Sequence, residues 1–190
     1  SAGSPWTDNV LVFSPIKLGA GGLPSIATSS IWLDATDGPT ITESSNAVSH
    51  WNDKSGNGNH FVQLNSTSQP NSGTRVHNGK NVIDFDGGDY LETSAAFDMG
   101  NNFSIFLLSG VDAIDHQNDS LFANRQATGA PHFQFDAGST TTFQGRLNQT
   151  SLGTTTTFFP TAEIGPSVYE LIFDLSGGII TCFIDGENKG

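Results

Sequence analysis

"NFSIFLLSGV", residues 102–111, is apolar at positions of both parities over ten residues. Ten residues would also make a short helix, and periodicity alone does not separate a buried helix from a buried strand. Composition does. Phe103, Ile105 and Phe106 suit a pleated surface, and Gly110 near the end of the run favours strand. The run reads as a central strand buried on both faces, in an all-β protein.

The neighbouring segments agree with that reading. "SLFAN" (120–124), "HFQFD" (132–136) and "TTFQGRLN" (141–148) follow as strands. The last two alternate: Phe133 and Phe135 share one face and Phe143 and Leu147 another, with Gln134, Gln144, Arg146 and Asn148 opposite them. One sheet face is therefore expected to be polar and open to water. "VYELIFDLSGGIITCFIDG" (168–186) reads as two strands around Ser176-Gly177-Gly178, then a turn at Asp185-Gly186 whose following strand is missing. Upstream, "IWLDA" (31–35) reads as the first convincing strand, and "NVIDF" (81–85) as another, entered through Asn78-Gly79. About ten short strands at these spacings suit an antiparallel two-sheet sandwich. Residues 1–29 are rich in Ser, Gly and Pro and read as an arm or linker with one strand near "VLVF"; residues 30–190 read as one domain.

Composition narrows the function classes. Only 7 of 190 residues are Lys or Arg, and the formal net charge is -12. Such a chain is repelled by nucleic acid and by anionic membranes. No apolar run approaches the ~18 residues of a membrane span. Cys182 is alone, so no internal disulfide framework exists, and its place in "IITCFI" makes it a small core residue. The composition suits an extracellular, cell-surface or virion-surface protein, kept soluble by its acidity. Trp32 and Trp51 sit in strand patterns and read as core; Trp6, in the arm, is more open to a partner.

Two acidic stretches carry the chemistry that residues alone suggest. "WNDKSGNGNH" (51–60) places Asp53, Ser55 and Asn57 at positions one, three and five of a calcium-loop pattern, with Gly58 at six. Position twelve is Leu64, where that pattern needs a bidentate glutamate. Two readings stand: an oxygen cage completed from elsewhere, with Asp53 as first ligand, or a loop whose Asn and Asp side chains bond their own backbone. "DFDGGDY" (84–90) brings Asp84, Asp86 and Asp89 together, as paired carboxylates for acid/base chemistry, as calcium ligands or as a decorated turn. Enzyme signatures are missing. There is no nucleophile elbow, "GTRVHNGKN" departs from the phosphate-loop spacing, and the five histidines fall at no zinc spacing.

Taken in order, "IWLDATDG", "WNDKSGNGNH" and "VIDFDGGDYLET" resemble bacterial and phage laminin-G-like domains of the concanavalin A-like lectin/glucanase superfamily. The late "YELIFDLSGGIITCFIDGENKG" is similar to that family's hairpin, and the resemblance covers residues 30–190. It implies a two-sheet antiparallel jelly-roll sandwich, carbohydrate or glycoprotein binding, and a structural Ca2+. It puts Asp53, Ser55, Asn57 and Asn59 in the characteristic loop and Asp86, Gly87, Asp89 and Tyr90 in the strand motif. The glucanases of the superfamily carry an acidic catalytic run that this chain lacks, so no catalytic residue is expected. The expected function is a non-catalytic module recognising a surface glycan or glycoprotein through Gln134, Gln144, Arg146 and Asn148, with metal at Asp53, Ser55, Asn57, Asp86 and Asp89. The alternative is a structural or decoration subunit of a virus particle or surface fibre, joined to neighbouring subunits through residues 1–30. A glycoside hydrolase is the third reading.

Overall fold

The computed structural model describes residues 9–12, 29–95, 102–111, 120–124, 132–139, 142–149, 153–159, 165–174 and 177–189. Most of the arm read over residues 1–29, with Trp6, lies outside them. In chain order the strands are β1 (Asn9–Val12), β2 (Ile41–Ser44), β3 (Ala47–Trp51), β4 (Phe61–Val62), β5 (Asn71–His77), β6 (Lys80–Phe85), β7 (Glu92–Thr93), β8 (Asn102–Val111), β9 (Ser120–Asn124), β10 (His132–Ser139), β11 (Thr142–Gln149), β12 (Gly153–Phe159), β13 (Gly165–Asp174), β14 (Ile179–Ile184) and β15 (Glu187–Asn188). Two single 3-10 turns, Gly38–Thr40 and Ser66–Ser68, are the helical elements among the described residues. No helix among them is long and apolar enough to cross a membrane. The chain divides into two compact units, Val10–Asp98 and Ser1–Asn9 with Met99–Gly190, so the division falls inside the stretch read as one domain.

In the Met99–Gly190 unit, β8 pairs antiparallel with β13, β13 with β14, and β14 with β15. A second sheet runs β12–β11–β10–β9, also antiparallel. The run 102–111 is a strand along its whole length. Its odd positions Ile105, Leu107 and Ser109 are buried, as are Tyr169, Leu171 and Phe173 of β13 and Ile180, Cys182 and Ile184 of β14. Facing them from the second sheet are Phe133 and Phe135. The Phe133 ring centroid lies 4.7 Å from Phe103 and 5.0 Å from Phe173, and that of Phe135 lies 5.6 Å from Tyr169. Tilted aromatic pairs at such distances hold two facing sheets together. This part of the chain is an all-β, two-sheet sandwich.

The even positions of β8 and β13 point outward, so the expectation that 102–111 is buried on both faces is corrected: Phe106 and Leu108 are half-buried. The turn at Asp185 and Gly186, with φ of +51 and +84, does feed a strand, β15, paired with β14. Positive φ at both central residues is what a type I′ two-residue hairpin requires. Burial pushes the Cys182 thiol up to about 12, the nearby Lys189 charge acting the other way, so the residue is an inert part of the core.

In the Val10–Asp98 unit the strand order is β6–β5–β3–β4–β7, with β2 also on β3. Val48, Trp51, Phe61, Val82 and Ile83 are its buried apolar strand residues. Residues 31–35 form no strand, although Leu33 and Ala35 are fully buried. Their backbone partners are not a ladder. The Trp32 N–H donates to the Asp53 carboxylate, the Trp32 carbonyl accepts from Lys54 N, and the Ala35 carbonyl accepts from the Asn81 side chain. Asp34 meanwhile accepts from both Thr36 N and Thr36 Oγ1, which turns the chain locally.

Candidate functional site

The stretch 53–60 leaves β3 as a loop, and Gly56 and Gly58 take φ of +90 and +76. The side chain of Asp53 is buried at its centre. Its Oδ1 accepts from Trp32 N at 2.8 Å and Ser55 N at 2.9 Å. Its Oδ2 accepts from Ser55 Oγ at 2.6 Å and Asn59 N at 3.1 Å. Each carboxylate oxygen therefore takes two donors. The Asp53 N–H donates to His60 Nδ1, which puts the ring proton of the neutral imidazole on Nε2.

The remaining side chains of the loop reach the segment before Trp32. Asn57 Nδ2 donates to Ser29 O at 2.9 Å, and Asn59 Nδ2 to Ser30 O at 2.8 Å. Ser55 Oγ lies 3.3 Å from Ser30 O. The loop thus clasps residues 29–32, and Asp53 is the acceptor on which the clasp closes. Lys54 completes it. Its ammonium lies 3.0 Å from Asp34 Oδ2 and 2.6 Å from Asp37 Oδ2, and 4.5 Å from the centroid of the Trp32 ring. Trp32 is half-buried under that cation rather than sealed in a strand.

Burial opposes ionisation of Asp53, but hydrogen bonds from Ser55, Trp32 and Asn59 outweigh it and hold the carboxyl below its ordinary value of 3.8. Asp34 follows the same pattern, with burial outweighed by Thr36 and Lys54. Burial would lower Lys54, and Asp37 and Asp34 together raise it above 10.5. A depressed carboxyl stabilises the fold above its unfolded pKa and stops doing so as pH falls through the folded one; a raised lysine does the reverse. Urea midpoints measured across pH should therefore hold between these limits. They should fall below pH 3.8 as Asp34 and Asp53 protonate, and fall again above pH 10.5 as Lys54 loses its proton. A midpoint unchanged from neutrality down to pH 2, on the order of two units below the usual carboxyl range, would remove the clasp from the fold's energetics.

Asp86 and Asp89 occupy a different turn. Asp86 Oδ1 accepts from Gly88 N at 2.9 Å, and Asp89 Oδ2 accepts from Asp86 N at 3.2 Å. Asp84, in β6, faces Arg75 Nε at 2.9 Å and Thr74 Oγ1 at 3.2 Å. Among the described residues there is no group of three or more His, Cys, Asp or Glu that could hold a metal ion. Calcium takes six to eight oxygen ligands, and the four donors aimed at Asp53 stand where such an ion would. As folded, the Asp53 carboxylate is filled by protein donors.

The expected ligand face lies on the second sheet of the sandwich. The register sets Gln134 opposite Arg146, and Arg146 opposite Thr156. His132, Asn148 and Thr154 form the row to one side, and Asp136, Gln144 and Phe158 the row to the other. The side chains of Gln134, Arg146 and Asn148 fall outside those described. Gln144 is 7% exposed, a framework amide where an open one was expected. No signal in the sequence distinguished it from its neighbours. No known family model, curated protein or solved structure matches the chain.

Proposed function

We propose that the protein is a non-catalytic carbohydrate- or glycoprotein-binding module with a concanavalin A-like, laminin-G-like jelly roll, displayed on an extracellular or particle surface. The observation that carries this reading is the backbone register that sets Gln134 opposite Arg146 and Arg146 opposite Thr156, in a sheet that buries Phe133 and Phe135. Amide, guanidinium and hydroxyl groups suit sugar hydroxyls, and a sheet fixed by an aromatic core holds them in register. The carboxylates of the clasp support the absence of catalysis. Asp34 is held ionised by Thr36 and Lys54 and Asp53 by its four donors, so neither is poised as a proton donor.

Multivalent display on a glycan array tests the reading. The protein should bind one glycan class equally with calcium and with chelator, because its loop closes by hydrogen bonds. Arg146→Ala should weaken that binding about tenfold, the size of one charge-assisted contact. A blank array at high valency ends the proposal.

The assembly reading is favoured by a separate feature. The outward face of β8, β13 and β14 carries Phe106, Leu108, Val168 and Phe183 half-buried, with Ile172 and Ile179 exposed. Apolar faces of this kind mark subunit contacts. A concentration-dependent mass in solution, abolished by Ile179→Lys, would favour a structural subunit; a monomer at all concentrations would not.

A further inference from the structure

Asn-Gly occurs twice in the chain, at Asn57-Gly58 and Asn78-Gly79. Both pairs are exposed, and Gly58 and Gly79 take φ of +76 and +72. A Cβ built on either glycine would meet nothing within 4 Å. The two backbones are equally open, so what differs is the hold on the asparagine amide.

Asn57 Nδ2 donates to Ser29 O at 2.9 Å, to Ser55 Oγ at 3.0 Å and to Ser30 O at 3.4 Å. Two of these acceptors belong to the clasped segment, and the amide cannot turn without releasing them. Asn78 stands at the tip between β5 and β6, with φ of +49. Its Nδ2 donates to His77 Nε2 at 3.0 Å. That ring belongs to the neighbouring residue, so the bond travels with the tip. The tip is also lightly fastened. The β5–β6 register breaks between Ser72 and Val76, and beyond the break the pairs are Val76–Asn81 and His77–Lys80. Val76 is 66% exposed. Asn81 secures the base instead: it accepts from Gly73 N and donates to Ala35 O and Ser72 Oγ. A tip so arranged opens locally while the strands below it stay paired.

We propose that Asn78 is a self-modification site, converting through a cyclic imide to aspartate and isoaspartate, and that the clasp guards Asn57 from the same reaction. The Gly79 N–H gives its proton to water, and the freed nitrogen attacks Asn78 Cγ. The new N–C bond closes a five-membered ring. The Cγ–Nδ2 bond breaks, and ammonia leaves after taking a proton from water. Water then opens the imide at either carbonyl. One water is consumed, one ammonia is released, and nothing is oxidised. Glycine favours the attack because no side chain shields its nitrogen and its φ is free. Closure requires Cγ to swing onto the following nitrogen. Asn78 reaches that geometry when the tip frays; Asn57 reaches it after its amide leaves the clasp. The product places a carboxylate beside His77 and Lys80, and the isoaspartyl form lengthens the main chain of a two-residue turn.

The full chain is held at neutral pH and sampled over time by peptide mass spectrometry, which reads each asparagine separately. In the folded protein Asn78 should convert about tenfold faster than Asn57 or more, since Asn57 must first break hydrogen bonds. In urea, where neither amide is held, the two rates should agree within about threefold. Ser55→Ala removes one acceptor of the Asn57 amide, and it should speed Asn57 while leaving Asn78 unchanged. Equal rates in the folded chain, or conversion of Asn57 ahead of Asn78, overturn the proposal. So does a folded chain in which neither site converts although both do in urea. Ser55→Ala that speeds neither site, or both alike, overturns the guarding by the clasp.

Discussion

Phe133→Ala is expected to cost about 4 kcal/mol of stability, the largest loss of any single truncation in the sandwich of the Met99–Gly190 unit. The residue is 2% exposed, and its ring meets three others: Phe103 at 4.7 Å, Phe173 at 5.0 Å and Phe122 at 5.6 Å between centroids. Phe103 and Phe173 are cross-strand partners in one sheet, stacked at 4.9 Å, while Phe122 and Phe133 belong to the other. Truncation at Phe133 thus opens a void between two sheets whose backbones are tied by separate ladders and cannot collapse into it freely. Phe133→Leu should recover most of the loss, since volume is largely kept. Ile179→Ala, on the outward face, should stay within about 0.5 kcal/mol. Urea unfolding followed by near-ultraviolet circular dichroism reports the packed rings directly. If Phe133→Ala shifts the midpoint no more than Ile179→Ala, the two sheets are not held by this cluster.

The same rings explain which parts of the fold are legible in the sequence. Strands that contribute to the sandwich core announce themselves, because burying an aromatic on every second residue is a pattern few other structures need. Residues 102–111 and 120–124 are strands at the expected boundaries for this reason. β5, "NSGTRVH", and β12, "GTTTTFF", carry little apolar content, so nothing in their composition separates them from loop. The opposite error occurs at 31–35. Leu33 and Ala35 are buried as a strand's would be, but the hydrogen bonds go to a loop 21 residues away, and alternation reports burial without naming the partner. The loop itself shows the same limit. Oxygen-bearing residues at alternate positions are visible in "DKSGNGN". That the donors to Asp53 are the backbone N–H groups of Trp32, Ser55 and Asn59 is a property of the folded chain. Tyr90 was readable only as part of a motif, because it lies outside the two-residue strand Glu92–Thr93 and no alternation sets whether its ring faces core or water.

Asp53→Ala should destabilise the protein by about 3 kcal/mol, and Asp53→Asn by about 2 kcal/mol. Alanine leaves the N–H groups of Trp32, Ser55 and Asn59 without their acceptor. Asparagine keeps one carbonyl oxygen, enough for Trp32 N and Ser55 N at the Oδ1 position. Its amide nitrogen then meets Asn59 N–H, donor against donor, while the Ser55 hydroxyl can turn to accept. The two variants therefore separate loss of an acceptor from loss of charge, and Asp53→Asn should also flatten the acid limb of the stability profile that the depressed carboxyl produces. Amide exchange localises the effect: Asn59 N–H should lose protection in both variants and Trp32 N–H in Asp53→Ala alone, with the Phe133 cluster's strands unchanged. A loss below about 0.5 kcal/mol in Asp53→Ala would mean that the clasp is decoration on a loop held by other contacts. A calcium-dependent rise in the wild-type midpoint, absent in Asp53→Asn, would restore the cation to this loop. The hydrogen bonds onto Asp53 would then describe the chain before the ion displaces Ser55 and Asn59 from its carboxylate.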